Sequence, residues 1–198
     1  LRPAGQSADY VNSGSWSQKA IEEGKVSGAV NVIWDGKADN YNRMPDPADL
    51  KFTPGAAYVH ICSNETIQGI RFAEFPKIEA PQETPLLADM SSEIMSRVID
   101  VRRFGMIYAG LQKNLGPSGL ALDILRKDLL EPSPETVQIF WRYKTQSEEN
   151  SLYNTPNTLA IYLLRLVTDW LAAQGGIAAM EKINEEKARL LYDTIDAS

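Results

Sequence analysis

Cysteine and histidine are almost missing from this chain: its 198 residues hold one of each, Cys62 and His60. A lone cysteine excludes an internal disulfide framework and fits a reducing compartment, so a cytoplasmic setting is expected. One histidine beside one cysteine leaves no metal cluster to assemble. His60 lies in an apolar run and reads as a hydrogen-bonded core residue rather than a base. Basic runs are also scarce. The 20 Lys and Arg stand against 26 Asp and Glu, a formal charge of −6, and no basic stretch is long enough to follow a phosphate backbone, so no nucleic-acid partner is expected. The longest apolar stretch, 158–173, is broken by Arg165 and Asp169 and is too short to span a bilayer, so no membrane partner is expected. The amino end, Leu1-Arg-Pro-Ala-Gly-Gln-Ser7, has neither an initiator methionine nor the apolar core of a signal peptide, and reads as the start of an excerpt from a longer chain. Internal repeats and low-complexity segments are absent. The length suits one substantial domain burying roughly 70% of its unfolded surface.

What is present centres on Phe104 to Gly119. One lysine, Lys113, stands between two apolar runs, Met106 to Ala109 and Leu120 to Leu125, each with the length and composition of a buried strand. Gly110, Gly116, Pro117 and Gly119 punctuate the loop and let backbone approach a ligand closely. A lysine held at such a junction is expected to be poorly solvated, and a desolvated amine is a nucleophile. The phosphate-loop pattern of nucleotide hydrolases is not met, because no Gly-Lys-Ser/Thr triplet follows.

The remaining chain supports an α/β reading. Ala8 to Val11, Ala29 to Trp34, Ala56 to Cys62 and Leu86 to Asp89 are expected strands. A helix over Trp16 to Glu23 is expected, capped by Ser13 or Ser15 and ended by Gly24. It places Trp16 beside a strand-end loop, where α/β sheets bind ligands, although burial in the core is the ordinary fate of tryptophan. Residues 35–54 form a polar connection with one short helical possibility. Ser63-Asn-Glu-Thr66 can bond a ligand or its own turn. Asp89, at the end of an apolar run, reads as a strand-end acid or a cap. Residues 131–135 break regular structure. Leu159, Tyr162, Leu163, Leu166, Val167, Trp170 and Leu171 mark one wide apolar helix face, ended by Gly175-Gly176, with Asn154 and Thr155 as capping candidates. A second helix runs from Ile177 to about Ile195, its charged side a solvated surface.

Asp89-Met-Ser-Ser92, Ser96-Arg-Val-Ile-Asp100 and Tyr108-Ala-Gly-Leu-Gln-Lys-Asn-Leu-Gly-Pro-Ser-Gly119 together resemble the cofactor-lysine region of the phosphoserine aminotransferase family, class V pyridoxal-phosphate enzymes. His60-Ile-Cys-Ser-Asn-Glu-Thr-Ile-Gln-Gly69, Tyr153-Asn-Thr-Pro156 and the stretch from Ala8-Asp-Tyr-Val11 through Trp16 resemble further motifs of that family, in its order. The resemblance implies the large domain of the fold-type I pyridoxal-phosphate transferases, a mixed and mostly parallel sheet flanked by helices, here as a fragment covering residues 1–198. It implies pyridoxal 5'-phosphate as cofactor. Lys113 becomes the residue that anchors it and shuttles a proton, and Asp89 the carboxylate beside the pyridine nitrogen. Trp16 stacks on the ring, Thr66 meets its phenolic oxygen, and Gln112 holds a polar edge. Asn154 and Thr155 reach the cofactor phosphate of a neighbouring subunit, which implies a homodimer with shared sites; capping and phosphate binding are compatible at a helix start.

The implied reaction moves an amino group from L-glutamate to 3-phosphohydroxypyruvate, giving O-phospho-L-serine and 2-oxoglutarate in serine biosynthesis, and in bacteria extends to a phosphorylated precursor in pyridoxine biosynthesis. Segments of the family that bind substrate, a His-Arg pair and a Gly-Arg turn upstream and an arginine downstream, are not among these residues. Val98 replaces a proline common in relatives, and Gln68 fills a variable position; neither touches an implied role. Two alternatives stand beside this reading. One is another class V enzyme such as a cysteine desulfurase, which requires a mobile cysteine. The other is a non-catalytic dimerisation fragment of the fold.

Overall fold

The computed structural model describes residues 2–3, 5–77, 84–131 and 137–198. They gather into two compact units. The first comprises Leu1–Met90, Val101–Tyr108 and Asp123–Pro156, and the second Ser91–Asp100, Ala109–Leu122 and Asn157–Ser198.

Eight strands occur among the described residues: β1 (Ala8–Asn12), β2 (Val30–Asp35), β3 (Val59–Cys62), β4 (Asn64–Glu65), β5 (Ile70–Arg71), β6 (Leu86–Asp89), β7 (Met106–Gly110) and β8 (Ala121–Leu125). Six form one sheet in the order β2-β1-β3-β6-β7-β8, while β4 and β5 make a separate antiparallel ribbon. Every pairing from β2 through β7 is parallel. Backbone bonds from Leu111 N to Leu120 O and from Arg126 N to Gly105 O turn β8 antiparallel to β7, so the sheet is mixed. β1 and β3 are buried at every position, as strands covered on both faces must be. Their apolar composition follows from that burial. Asp9 and Asn12 are the exceptions on β1; the Asp9 carboxylate accepts bonds from Asn31 Nδ2 at 3.0 Å and Thr53 N–H at 2.7 Å, and Asn12 Nδ2 donates to Asp35 Oδ1 at 2.9 Å, which offsets the cost of burying them.

Helix α1 (Ser15–Ser27) links β1 to β2 and lays Ile21 against Ala8 and Tyr10. Gly24 does not end it. The helix continues to Ser27, and Gly24 sits buried inside it because a Cβ there would come within 2.7 Å of Tyr10 Oη. The polar connection 35–54 holds two short 3-10 turns, Gly36–Asp39 and Pro47–Asp49. β8 departs from the buried strand expected of its composition: it lies at the sheet's edge, with Ala121, Asp123 and Ile124 exposed. Helix α2 (Tyr143–Glu148) is a short segment of the first unit. The expected break at 131–135 falls, after Glu131, outside the described residues.

In the second unit, helices α3 (Thr158–Ala173) and α4 (Ile177–Asp196) follow the expected bounds. Leu163, Leu166, Val167 and Trp170 of the expected apolar face line a cavity of about 370 Å³ with Gly116 and Pro117. α4 is tied to the 91–100 segment through Glu181, which accepts the Val98 N–H, and Asn184, which donates to Ser96 O. A buried ion pair, Arg97 Nε to Glu93 Oε1 at 2.7 Å, braces that segment internally.

Among the described residues, no helix is long and apolar enough to cross a membrane.

Candidate active site

Parallel strands place their following turns at one edge of the sheet, and that carboxyl edge is where such folds bind ligands. Within the first unit, β1 leads through Ser13 to Trp16, β3 leads through Ser63 to Thr66, and β6 ends on Asp89. β1, β3 and β6 are adjacent in the sheet. Cys62 pairs directly with Asp89, and Ser63 N–H donates to Asp89 O at 3.0 Å, so the Thr66 turn is tied to the strand that carries the carboxylate. Trp16 Nε1 donates to Thr66 Oγ1 at 3.0 Å. Two residues expected at a shared site, far apart in sequence, are thus in direct contact. The ammonium of Lys19 lies 4.8 Å from the Trp16 ring centroid, within cation–π range.

The start of α1 is built differently from the expectation. Neither Ser13 nor Ser15 caps it; the cap position is Gly14. Ser17 Oγ accepts the N–H groups of Ser13 and Gly14, both at 2.8 Å. The N–H groups of Trp16 and Ser17 donate to the Glu65 carboxylate at 2.9 and 2.8 Å. Glu65 is fully buried, and the positive end of a helix suits such an anion. Glu65 was not singled out in the sequence. The available signal was an acid one residue before Thr66 in a turn leaving a buried strand.

On the face of the sheet that α1 covers, Tyr10 and His60 stack at 4.9 Å between ring centroids, and His60 Nε2 lies 2.8 Å from Tyr108 Oη. Burial pushes the imidazole pKa down to about 4, opposed by the negative charge of Asp89. The same burial, reinforced by Asp89, raises the Tyr108 phenol well above its ordinary value. His60 is therefore the neutral, hydrogen-bonded core residue expected of it. Tyr10, Tyr58, His60, Tyr108, Asp123 and Tyr143 line a cavity of about 790 Å³ on this face.

Gln112 and Lys113 belong to the second unit, in the turn that follows β7. That turn closes on itself through Leu115 N and Gly116 N, both bonded to Leu111 O. It is further held by Asn114 Nδ2 to Ile94 O at 2.9 Å and by Gly110 N to Ser91 Oγ at 3.0 Å. The Gln112 amide folds back over Gly110, where a Cβ would come 2.4 Å from its Oε1. Lys113 is exposed rather than poorly solvated, because the turn carries it outward between the buried anchors Leu111 and Leu115. Asn154 and Thr155 are exposed residues of the first unit. Neither is the helix cap; Asn157 is, its side chain accepting the Ala160 N–H at 3.2 Å. Cys62 is buried, with Sγ 3.6 Å from Asn64 O.

The sheet is α/β and mostly parallel, and the turns at its carboxyl edge bring Trp16 and Thr66 together near the strand that ends at Asp89. The family model of the class-V aminotransferases matches residues 2–198, and the chain belongs to that family. A phosphoserine aminotransferase of Marinomonas sp. (strain MWYL1) is 48% identical over 193 residues, covering 98% of this chain and 53% of the relative. The solved phosphoserine aminotransferase from Bacillus circulans subsp. alkalophilus superposes with a TM-score of 0.94 at 43% identity, over 98% of this chain and 53% of that one. The PLP-bound phosphoserine aminotransferase from Trichomonas vaginalis gives 0.89 at 38% identity, over 98% of this chain and 54% of that one. The chain spans about half the length of the curated relatives it matches. The expected fold class, the mixed and mostly parallel sheet of the fold-type I transferases, is the one observed.

Proposed function

We propose that residues 1–198 form a pyridoxal-phosphate-binding large domain serving transfer of an amino group from L-glutamate to 3-phosphohydroxypyruvate, which yields O-phospho-L-serine and 2-oxoglutarate. The observation that carries this reading is the contact between Trp16 and Thr66 on turns that leave adjacent parallel strands, next to the strand that ends at Asp89. Identity of 48% to phosphoserine aminotransferases over nearly the whole chain supports the substrate pair.

The donor set suits the cofactor: an indole offers a flat face, Thr66 a hydrogen-bonding hydroxyl, and Asp89 a carboxylate able to keep a ring nitrogen protonated. When bound, pyridoxal phosphate supplies an electron-accepting ring. Lys113 would hold the cofactor through its amine and, once displaced by an incoming amino acid, would take the proton from the substrate's α-carbon and deliver it to the cofactor's carbon. Trp16 orients the ring, Gln112 and Thr66 hold its polar edges, and Asn154 and Thr155 of one subunit bind the phosphate at its neighbour's site, in a cytoplasmic homodimer. A cysteine desulfurase reading lacks support, since its nucleophile would be Cys62, which is 4% exposed on a central strand.

The test is direct. Pyridoxal phosphate added to the chain should give a visible absorption band that is lost in Lys113→Ala, and L-glutamate but not L-cysteine should bleach it. A band of equal strength in Lys113→Ala overturns the assignment.

A further inference from the structure

The Glu65 carboxylate is fully buried and both its oxygens are engaged. Oε2 accepts the Trp16 N–H at 2.9 Å, while Oε1 accepts the Ser17 N–H at 2.8 Å and the Ser13 hydroxyl at 3.3 Å. Its own backbone is fixed in the β4–β5 ribbon, where it pairs with Ile70, and its carbonyl accepts the Gly69 N–H at 2.8 Å. Gln68 adds two bonds to the same junction, accepting the Ser15 N–H at 3.2 Å and donating to Ser15 Oγ at 2.8 Å. The approach is close enough that a Cβ on Gly14 would lie 2.5 Å from Gln68 Oε1 and 2.7 Å from Glu65 Cδ. The backbone of Trp16 and the backbone of Thr66 are therefore joined through one side chain, and the indole bond to Thr66 Oγ1 closes the ring of contacts.

We infer that Glu65 is a positioning residue whose carboxylate sets the Trp16 indole against Thr66 and so orients both toward a bound ring. The inference rests on the cofactor reading of Trp16 and Thr66 given above, but the positioning itself can be measured without any cofactor. The chemistry explains why the residue is an acid rather than an amide. A carboxylate offers acceptors on both oxygens, whereas a glutamine offers one acceptor and turns an NH₂ toward N–H donors. Glutamine at 65 thus keeps the shape and loses one of the two backbone bonds at the helix start. Loss of one charge-assisted bond corresponds to about a tenfold effect on a coupled equilibrium.

The experiment uses the chain labelled with ¹⁵N-tryptophan, which shows one indole resonance for each of its 4 tryptophans. Trp16→Phe assigns the resonance of interest. Glu65→Gln should shift that resonance and speed exchange of its indole proton about tenfold, with the Trp34, Trp141 and Trp170 resonances unchanged. An unmoved Trp16 resonance in folded Glu65→Gln overturns the inference. Should that variant not fold, Glu65→Asp retains the charge, withdraws it by one methylene, and must produce the same selective shift.

A second arm measures pyridoxal phosphate affinity in a double-mutant cycle. Glu65→Gln should weaken binding about tenfold in the parent and hardly at all in Trp16→Phe. Equal losses in both backgrounds overturn the inference, because Glu65 would then act independently of the indole. A parent chain that does not bind the cofactor, or a Trp16→Phe variant that binds it unchanged, overturns the cofactor reading instead, and the indole resonance alone then decides the positioning role.

Discussion

His60 Nε2 and Tyr108 Oη lie 2.8 Å apart, a bond that reaches from β3 to β7 over the strand β6 between them. Only a neutral imidazole is comfortable there, since the ring is buried and packed against Tyr10. Burial takes its pKa from 6.5 down to about 4. The unfolded chain therefore binds a proton near pH 6.5 that the folded chain refuses until about pH 4. Stability from this group is complete above pH 6.5 and declines as the pH falls toward 4, by on the order of 3 kcal/mol at most. Urea unfolding of the parent and His60→Gln between pH 4.5 and 7.5 should show a flatter profile for the variant; equal slopes would remove His60 as the cause.

Gly24 is the second point at which packing overrules a local preference. Alanine in a helix interior is ordinarily favoured over glycine by up to about 1 kcal/mol. Here the new methyl meets Tyr10 Oη at 2.7 Å, and that hydroxyl is committed to Tyr58 Oη at 2.8 Å. Overpacking of this kind costs about 1–3 kcal/mol, so Gly24→Ala should lower stability despite its better propensity. In a Tyr10→Phe background the nearest obstructing atom is gone while the ring Cζ, 2.9 Å away, remains, so the same substitution should cost less without becoming neutral. A penalty unchanged by Tyr10→Phe would place the obstruction elsewhere.

These cases show what a linear reading can and cannot hold. β1, β3, β6 and β7 were legible as apolar runs because strands covered on both faces carry their burial in their composition. The turn after β7 was legible from the glycines and proline that punctuate it. The end of α1 was misplaced because glycine signals both a helix stop and a close approach, and only the position of Tyr10 tells them apart. The β4–β5 ribbon, two residues to a strand, is too short to show a period. Glu65 escaped notice for a different reason: its partners are backbone N–H groups some fifty residues upstream, which no local pattern encodes. The expected burial of Lys113 is not found, since apolar runs on either side of a turn do not bury the turn.

In the second unit the pair Arg97–Glu93 is the clearest test of a buried charge. The side chains are 13% and 2% exposed, and Nε stands 2.7 Å from Oε1. Removing the guanidinium in Arg97→Ala leaves Glu93 without this cation, at a cost of about 3 kcal/mol. Hydrogen exchange across 91–100 should rise accordingly, whereas Arg126→Ala, which breaks an exposed pair with Asp128, should change little. Equal responses would mean that burial of the Glu93 carboxylate is not what makes its partner necessary.

Asn157 and Asn154 offer a matched comparison three residues apart. Asn157 satisfies the Ala160 N–H at the start of α3, so Asn157→Ala should cost about 1 kcal/mol, the usual loss for an asparagine cap. Asn154 is exposed and does not cap the helix, so Asn154→Ala should leave thermal stability within about 0.5 kcal/mol of the parent. If Asn154 instead holds a phosphate for a neighbouring subunit, as proposed, its loss should appear as weaker binding of pyridoxal phosphate at unchanged melting temperature without ligand. The two readouts separate a structural asparagine from a ligand-binding one. A drop in ligand-free stability for Asn154→Ala, with affinity preserved, would return that residue to the scaffold and remove the support it lends to a shared site.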